Sequence, residues 1–293
     1  MPEIIYNSLP GKTAKQWFIS IYLRYTQLYA LEKMVTNAEQ LQDGTSFIEL
    51  ENGTKFYGEQ DNVTSQRDVT YGVIQKLDKL RKLEHSRIML GVLCSQYVKA
   101  EYEKYYILKK GDIVVDAGAH IGTFTVKAAK AVGDKGRVIA IEPSANNIEF
   151  LSRNIEANGL QNVSIVPKGI WSTKGTLKLN ISRRRTTGHS FYTSSQFGTE
   201  EINEFKEVEV DTLDNIVRQS GVWPVNFIKM DIEGAEIEAI KGMDEIMSGD
   251  VKLAMEGSHI VAGQRTYQII IPWLKNRGFQ VNNDERMVYA RKK

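Results

Sequence analysis

The chain contains 293 residues, of which 42% are hydrophobic and 25% are charged, so it can bury the core of one large domain with a smaller appendage. Its formal net charge of +2 excludes a global attraction to nucleic acid, and any basic preference must be local. The single cysteine, Cys94, excludes an internal disulfide and a site of clustered thiolates, and no apolar run reaches the roughly 20 residues that span a bilayer. These features predict a cytoplasmic protein.

Residues 1–100 are predicted to form a separate extension of helices and a β-hairpin. Apolar and aromatic residues recur at helical spacing over residues 15–35, and this face needs a partner: the main domain, a second copy in a homo-oligomer or, less commonly, a membrane surface. Asn52-Gly53 predicts a tight primed turn in a hairpin over residues 47–57. Residues 73–93 predict a second helix, whose basic side is either a binding face or simply solvated.

From residue 111 the pattern changes to strands that alternate with helices, which predicts a parallel sheet with crossover helices in a second domain, residues 101–293. The predicted strands cover residues 112–117, 136–141, 163–167, 225–230 and 251–255. The predicted helices cover residues 123–131, 144–157, 212–219, 235–247 and 267–276. Further strands are predicted at residues 176–181 and 206–210, with a closing antiparallel hairpin at residues 279–282 and 287–290.

The first of these strands ends in a turn that carries one carboxylate. Gly118 allows a tight turn and the close approach of a ligand, and Gly122 opens a helix whose N-terminal amides face the same crevice. Asp116 is interpreted as a cofactor residue rather than a capping residue alone, because ligands of open parallel sheets bind beyond the carboxyl ends of the strands. The D-x-G-x-x-x-G spacing is similar to that of S-adenosylmethionine-dependent methyltransferases and differs from the G-x-G-x-x-G of dinucleotide sites.

Glu142 ends the second strand, close to the position at which an acidic residue binds the ribose hydroxyls of an adenosine group. Enzymes that use NAD also have an acidic residue at this position. Glu142 therefore indicates adenosine recognition, and an NAD-linked oxidoreductase stays open as an alternative. The missing third glycine of the phosphate-binding loop counts against that alternative.

Acidic side chains cluster where the fourth strand ends. Alternation puts Lys229, Asp231 and Glu233 on one side of the chain, where Lys229 can offset the repulsion between the acids. In the alternative interpretation, Asp231 caps the following helix while Glu233 and Glu236 complement its positive N-terminus. We favour a functional role for Asp231 and Glu233 and leave both interpretations open for Glu236.

Taken together, these motifs resemble those of the FkbM family of S-adenosylmethionine-dependent methyltransferases, over roughly residues 102–290. The matching segments are V-V-D-A-G-A-H-I-G at residues 114–122, I-E-P at 141–143, V-D-T-L-D at 210–214, I-K-M-D-I-E-G-A-E at 228–236 and M-E-G-S-H at 255–259. The resemblance implies an α/β fold, a Rossmann-like class I methyltransferase with a mostly parallel seven-stranded sheet and helices on both faces. It also implies O-methylation of a hydroxyl on a sugar, glycan or small metabolite.

The resemblance further implies a site for S-adenosylmethionine. The candidate cofactor-binding residues are Asp116, Gly118, Ala119, His120, Ile121, Gly122, Glu142, Pro143, Gly169 and Ile170. Gly169 and Ile170 would meet the adenine through backbone and apolar contacts, although the aspartate or asparagine common in that segment is missing.

The candidate catalytic residues are Lys229, Asp231, Glu233 and His259. His259 has the natural pKa of a general base, and Asp231 or Glu233 could orient the acceptor or act instead. A divalent cation bound by Asp231, Glu233, Glu256 and His259 is a further option, with magnesium or manganese preferred to zinc. Nothing in the spacing demands a metal, so none is favoured.

Arg183, Arg184 and Arg185 begin a loop that is rich in hydrogen-bond donors. They fit an anionic small-molecule or glycan acceptor, a lid over bound substrate, or a mobile solvated loop. With the basic residues of 73–93 they also leave RNA methylation open. A non-catalytic scaffold that binds the cofactor is the remaining alternative.

Overall fold

The computed structural model describes residues 11–60, 74–83, 85–182, 189–192, 202–284 and 286–292. The chain divides into two compact units, Met1–Ala100 and Glu101–Lys293. Within the described ranges, no helix is long and apolar enough to cross a membrane.

The first unit contains a long helix and a three-stranded antiparallel meander. Its first elements are α1 (Gly11–Met34), β1 (Val35–Gln40), β2 (Thr45–Leu50) and β3 (Lys55–Glu59). The predicted helix and hairpin are confirmed, but the hairpin turn is longer than expected. The amide of Leu50 donates to the carbonyl of Thr54 at 2.8 Å, and Gly53 has a φ of 74°. Residues 51–53 therefore form a loop with a left-handed glycine instead of a two-residue primed turn.

The predicted continuous helix over residues 73–93 is wrong. The described part of this segment contains a 3₁₀ turn (Leu80–Leu83) and helix α2 (Arg87–Leu93), which is followed by a π-helical turn (Cys94–Val98). Buried Leu80 and Leu83 are three residues apart, which is the 3₁₀ period. The ammonium group of Lys79 donates to the carbonyl of Val35, so the segment is anchored to the first residue of β1.

The second unit is built on a seven-stranded sheet, together with smaller sheets. Its strands are β4 (Ile113–Ala117), β5 (Arg137–Ile141), β6 (Val163–Val166), β7 (Gly169–Ile170), β8 (Gly175–Ser182), β9 (Ile202–Asp211), β10 (Phe227–Met230), β11 (Lys252–Glu256), β12 (Ile260–Val261), β13 (Gln264–Arg265), β14 (Phe279–Asn283) and β15 (Met287–Lys292). Its helices are α3 (Thr123–Val132), α4 (Ala145–Ala157), α5 (Leu213–Ser220), α6 (Glu236–Ala239), α7 (Asp244–Ser248) and α8 (Thr266–Asn276).

The main sheet has the strand order β14-β15-β11-β10-β4-β5-β6. The strands from β11 to β6 run parallel, and the hairpin of β14 and β15 joins β11 in antiparallel orientation. The predicted seven-stranded, mostly parallel sheet and its closing hairpin are confirmed. The two further predicted strands are confirmed as β8 and β9, which form a separate sheet with β7 in the order β7-β9-β8.

Helices cover both faces of the main sheet. Val114 packs in one core with Phe124 of α3, whereas Val115 packs in another core with Leu213 of α5 and Ile270 of α8. Successive strand residues point to opposite faces, so a strand buried on both sides reads as a continuous hydrophobic run. This arrangement is the Rossmann-like class I fold that the sequence predicted.

The predicted helix over residues 235–247 is wrong, because the segment folds as α6 and α7 with a 3₁₀ turn between them, Ile240–Gly242. The carboxylate of Asp214 accepts hydrogen bonds from the amides of Glu245 and Ile246 at 2.8 and 2.9 Å. This side chain from α5 caps a new helix start in the middle of the predicted helix.

The sheet order brings two strand-to-helix turns together. Strands β4 and β10 are neighbours, and Asp116 is in register with Lys229. Residues 116–122, called the first turn below, and residues 231–236, called the acid turn, therefore leave the same edge of the sheet side by side.

Candidate functional site

The first turn packs directly against the acid turn. Gly118 has a φ of 76°, and a Cβ placed on it would lie 1.9 Å from the carbonyl oxygen of Asp231. The amide of Asp231 donates to the carbonyl of Ala117 at 3.1 Å. The missing side chain of Gly118 therefore lets the two turns touch, which is a different reason for this glycine from the ligand approach expected from the sequence.

Left-handed backbone gives the first turn its shape. Gly118, His120 and Gly122 have φ values of 76°, 52° and 85°, and Ala119 and Ile121 between them are buried. Burial lowers the pKa of His120 to about 3, so its imidazole is neutral. The turn presents backbone rather than charged side chains at the end of β4.

Asp116 is held inside the protein by a cation and a hydroxyl group. Its side chain is 0% exposed, with Oδ1 3.0 Å from Nζ of Lys229 and Oδ2 accepting a hydrogen bond from Oγ1 of Thr125 at 2.6 Å. Nζ of Lys229 also donates to the carbonyl of Gly118 at 2.5 Å. Lys229, which the sequence grouped with the acids, therefore binds the first turn and fixes its course.

The carboxylate of Glu142 lies against the same turn. Its Oε2 accepts the amide of His120 at 2.9 Å, and its Oε1 accepts the amide of Ser144 at 3.0 Å and Nδ2 of Asn147 at 3.1 Å. Burial raises the pKa of Glu142 against the opposite effect of these hydrogen bonds. A carboxylate has about four acceptor positions, so Glu142 keeps the capacity to accept another hydrogen bond. The next residue, Pro143, is partly exposed.

The segment after β6 leads into an aromatic cluster. Ile170 is buried in the main core, and a Cβ on Gly169 would lie 2.5 Å from Cζ of Phe191. The ring centroid of Trp171 is 5.7 Å from that of Phe191 and 5.9 Å from that of Tyr192. Phe191 thus covers Gly169 and the core takes up Ile170, the two positions at which the sequence predicted backbone and apolar contacts with adenine.

The acid turn meets His259, which follows β11. Nε2 of His259 is 3.8 Å from Oδ1 of Asp231 and 3.4 Å from Oε2 of Glu233. Glu233 has a φ of 54°, which is uncommon for a residue with a side chain. Three of the four predicted catalytic residues therefore lie at one point, and the fourth, Lys229, is committed to Asp116.

Glu236 lies behind the imidazole of His259. Its side chain is 0% exposed, and its Oε1 is 3.1 Å from Nδ1 of His259 and accepts the amide of Ile232 at 3.0 Å. The two ring nitrogens of His259 therefore face different carboxylates. Glu236 combines both roles that the sequence left open, because it complements the start of a helix and also contacts the candidate site.

Tyr102 reaches the site from the 3₁₀ turn Glu101–Glu103, ahead of the main sheet. Its hydroxyl donates to Oδ2 of Asp231 at 2.8 Å, and its buried ring packs edge-on against Phe124. The contact joins residues 129 positions apart, so no local pattern could have indicated it.

The charged groups in this cluster shift one another's pKa values. Burial acts to raise the pKa of Asp231, but Lys229 and His259 hold it below its ordinary value. Burial is the largest cause that raises the pKa of Glu233 to about 8. Burial acts to lower the pKa of His259, but the carboxylates of Glu236, Glu233 and Asp231 raise it to about 10. Without another cation present, His259 is the proton-bearing partner of the acids rather than a free base.

Glu256, which the sequence considered as a metal ligand, has other partners. Its Oε1 accepts Oγ of Ser258 at 2.5 Å, and its Oε2 accepts Nε of Arg286 at 2.9 Å. Arg286 also donates to Oε1 of Glu101 at 3.2 Å. The four-residue ligand set considered from the sequence is therefore reduced to Asp231, Glu233 and His259.

The described end of the arginine loop touches the acid turn. Oγ of Ser190 donates to the carbonyl of Glu233 at 2.8 Å, and a Cβ on Gly234 would lie 3.4 Å from Cδ2 of Tyr192. Arg183, Arg184 and Arg185 themselves lie outside the described residues. Ser190 was missed by sequence reasoning because a lone serine in a polar loop carries no signal.

Comparisons with known proteins address the same part of the chain. The family model for the FkbM methyltransferase domain matches residues 116–281, which is more than half of the chain. Methyltransferase sdnD of Sordaria araneosa is 27% identical over 202 residues, which are 60% of this chain and 77% of that protein. Methyltransferase 1 of Beauveria bassiana is 25% identical over 146 residues, which are 45% of this chain and 58% of that protein.

A solved structure of a methyltransferase FkbM from Methylobacillus flagellatus is also similar. Its sequence identity is 19% and its TM-score is 0.42. The similarity covers 69% of this chain and 53% of that one, so this chain spans about half the length of the solved protein.

Proposed function

We propose that this chain, which belongs to the FkbM methyltransferase family, transfers the methyl group of S-adenosylmethionine to a hydroxyl group of a small molecule or glycan. The observation that carries the proposal is the contact between the first turn and the acid turn at Gly118 and Asp231. A cofactor held by the first turn would have the acidic cluster as its neighbour. Family membership favours methyl transfer over the NAD-linked oxidoreductase and the non-catalytic scaffold.

The first turn suits S-adenosylmethionine. Glu142 retains the capacity to accept one further hydrogen bond, as from a ribose hydroxyl, and it lies against the backbone of the first turn at His120. When bound, the cofactor supplies a methyl group on a positively charged sulfonium. Asp116 contributes indirectly to cofactor binding. Its carboxylate is fully buried and pairs with Lys229, and this ion pair fixes the first turn.

The acid turn suits the acceptor. The transfer forms a bond between the acceptor oxygen and the methyl carbon, breaks the bond from that carbon to sulfur with its electron pair left on sulfur, and releases the hydroxyl proton. Asp231 and Glu233 carry carboxylates that can orient the hydroxyl and receive the proton, and the hydrogen bond from Tyr102 fixes Asp231.

We extend the proposal to an acceptor with a negative charge. Arg183, Arg184 and Arg185 come shortly before Ser190 in the chain, and the bond from Ser190 to Glu233 ties that end of the loop to the acid turn. Arginine pairs readily with carboxylate and phosphate groups. A sugar or metabolite that carries such a group fits this set of residues.

The test separates cofactor binding from transfer. Glu142→Gln should weaken the binding of S-adenosylhomocysteine about 10- to 100-fold, because a charged hydrogen-bond acceptor is lost. Asp231→Asn should leave that binding within about threefold and lower labelled-methyl transfer to fractionated metabolites and glycans by about 10²–10⁴-fold. Calorimetry measures the first effect and transfer of label the second.

Glu238→Gln is the matched control, because Glu238 pairs with Lys241 outside the cluster. It should change neither quantity. Wild-type protein that does not bind S-adenosylhomocysteine, or Asp231→Asn protein with full transfer activity, would contradict the proposal.

A further inference from the structure

The spacing of the cluster at the acid turn suits a metal ion better than it suits direct hydrogen bonds. One ligand atom from each of Asp231, Glu233 and His259 lies within 4.8 Å of the other two. The distances of 3.4 and 3.8 Å from Nε2 of His259 to the two carboxylates are longer than charge-assisted hydrogen bonds. Two ligands that each lie about 2.1 Å from one metal ion are roughly 3.0–4.2 Å apart, depending on the angle between the two bonds.

A second observation comes from Glu236, outside this triad. Its carboxylate is 0% exposed and faces Nδ1 of His259 at 3.1 Å. Among the described residues, no hydrogen-bond donor reaches its Oε2. A histidine that binds a metal commonly donates its other ring N–H to a carboxylate, which directs the remaining nitrogen at the ion. Oε1 of Glu236 lies on the Nδ1 side of the His259 ring, while Nε2 of the same ring faces Asp231 and Glu233.

The local charges favour the binding of a cation. The carboxylates of Asp231, Glu233 and Glu236 face a single imidazole, while the nearby ammonium of Lys229 is paired with Asp116 and the guanidinium of Arg286 is paired with Glu256. Glu236 is fully buried and the other two carboxylates are partly buried; such carboxylates without a compensating charge are costly, and a bound divalent ion would be the largest local charge.

We propose that Asp231, Glu233 and His259 bind one divalent cation, and that Glu236 positions His259 for it. Two carboxylates and one imidazole suit a cation that accepts both oxygen and nitrogen, and Mn²⁺ is the probe of choice. The role of the ion rests on the proposed function. A bound ion would lower the pKa of an acceptor hydroxyl beside it, and the proton would then leave to solvent instead of to Asp231 or Glu233, which would hold the ion.

The test needs no acceptor. The full chain is freed of metal with a chelator, and Mn²⁺ is titrated while electron paramagnetic resonance reports the free ion; Zn²⁺ and Mg²⁺ are then added as competitors. Wild-type protein and Glu238→Gln should bind one Mn²⁺ per chain with equal affinity. Glu233→Gln, whose side chain is partly exposed, and His259→Asn should each weaken binding at least tenfold.

Each outcome decides a different claim. No Mn²⁺ binding by wild-type protein, or equal binding by Glu233→Gln and wild type, overturns the site. Metal binding without methyl transfer to any acceptor leaves the site standing and counts against the proposed function. Full methyl transfer in the presence of excess chelator overturns the catalytic role of the ion.

Discussion

The first turn and the acid turn leave neighbouring parallel strands and both use left-handed backbone, yet their charges are arranged in opposite ways. In the first turn, the carboxylate of Asp116 has a cation and a hydroxyl as partners. In the acid turn, Asp231, Glu233 and Glu236 surround one imidazole. The carboxylate of the first turn is neutralised by Lys229 of β10 and bonded by Thr125 of α3, whereas the acid turn carries excess negative charge that favours the binding of a cation.

The comparison also shows that the two turns share parts. Lys229 belongs to the strand before the acid turn but supports the first turn, and Gly118 belongs to the first turn but makes room for Asp231. Changes in the first turn should therefore cost stability, and changes in the acid turn should mainly alter binding and transfer. The following predictions test that division, beginning with the largest expected effect.

Lys229→Met should lower the free energy of unfolding by about 3–5 kcal/mol, because it leaves the fully buried carboxylate of Asp116 without its cation. Urea denaturation measures the loss. The double variant Lys229→Met with Asp116→Asn should recover part of it. A loss below about 1 kcal/mol in the single variant would show that the first turn does not depend on this ion pair.

Gly118→Ala and Gly53→Ala separate close packing from backbone strain. Both glycines have left-handed backbone, with φ values of 76° and 74°, but a Cβ on Gly118 meets the carbonyl of Asp231 whereas one on Gly53 has nothing within 4 Å. Gly53→Ala should cost about 1–2 kcal/mol and Gly118→Ala about 1–3 kcal/mol more. Equal losses in thermal or urea unfolding would mean that the two turns are not locked together.

Thr125→Val should lower the free energy of unfolding by about 1.5–3 kcal/mol, because the variant keeps the shape of the side chain but removes the hydroxyl that donates to Oδ2 of Asp116. Thr125→Ser, which keeps the hydroxyl, serves as the control in the same urea titrations. If serine and valine were equally damaging, packing rather than the hydrogen bond would be responsible.

Glu233→Gln should have the smallest effect on the free energy of unfolding. Whether the variant is more or less stable than wild type should depend on whether Mn²⁺ is bound. In chelator, at a pH above the Glu233 pKa of about 8, the free energy of unfolding of the variant should equal that of wild type or exceed it by up to about 1 kcal/mol, because repulsion within the acid turn is relieved. At saturating Mn²⁺, wild-type protein should gain about 2–3 kcal/mol and the variant should gain less. A stability loss in chelator would place Glu233 with the structural groups of the first turn.

Much of the fold could be predicted from local patterns. Alternating strands and helices, and the glycines of the first turn, depend on residues close in sequence, and the structure has the expected sheet with both its turns. The helices predicted over residues 73–93 and 235–247 are broken, and both segments make contacts with residues distant in sequence. Lys79 binds the carbonyl of Val35, and Asp214 caps the start of α7.

The candidate site also divides into features that depend on local sequence and contacts between residues far apart in the chain. Asp231, Glu233 and His259 were grouped from the ends of two strands, and they do lie together. The sequence could not indicate Tyr102 or Ser190, since both reach the acid turn across long separations in the chain. It also could not show that Lys229 forms its ion pair with Asp116 instead of with Asp231, because Asp116 lies on a neighbouring strand.

The dependence of the first turn on Lys229 and Asp231 sets an order of events during folding. Nζ of Lys229 reaches the carbonyl of Gly118 across 111 positions of the chain. Contacts of this separation form after local ones, because the intervening loop must first close. A growing chain on the ribosome therefore cannot complete the turn until β10 has emerged and docked beside β4. A ligand bound at the first turn therefore indicates that β10 has already paired with β4.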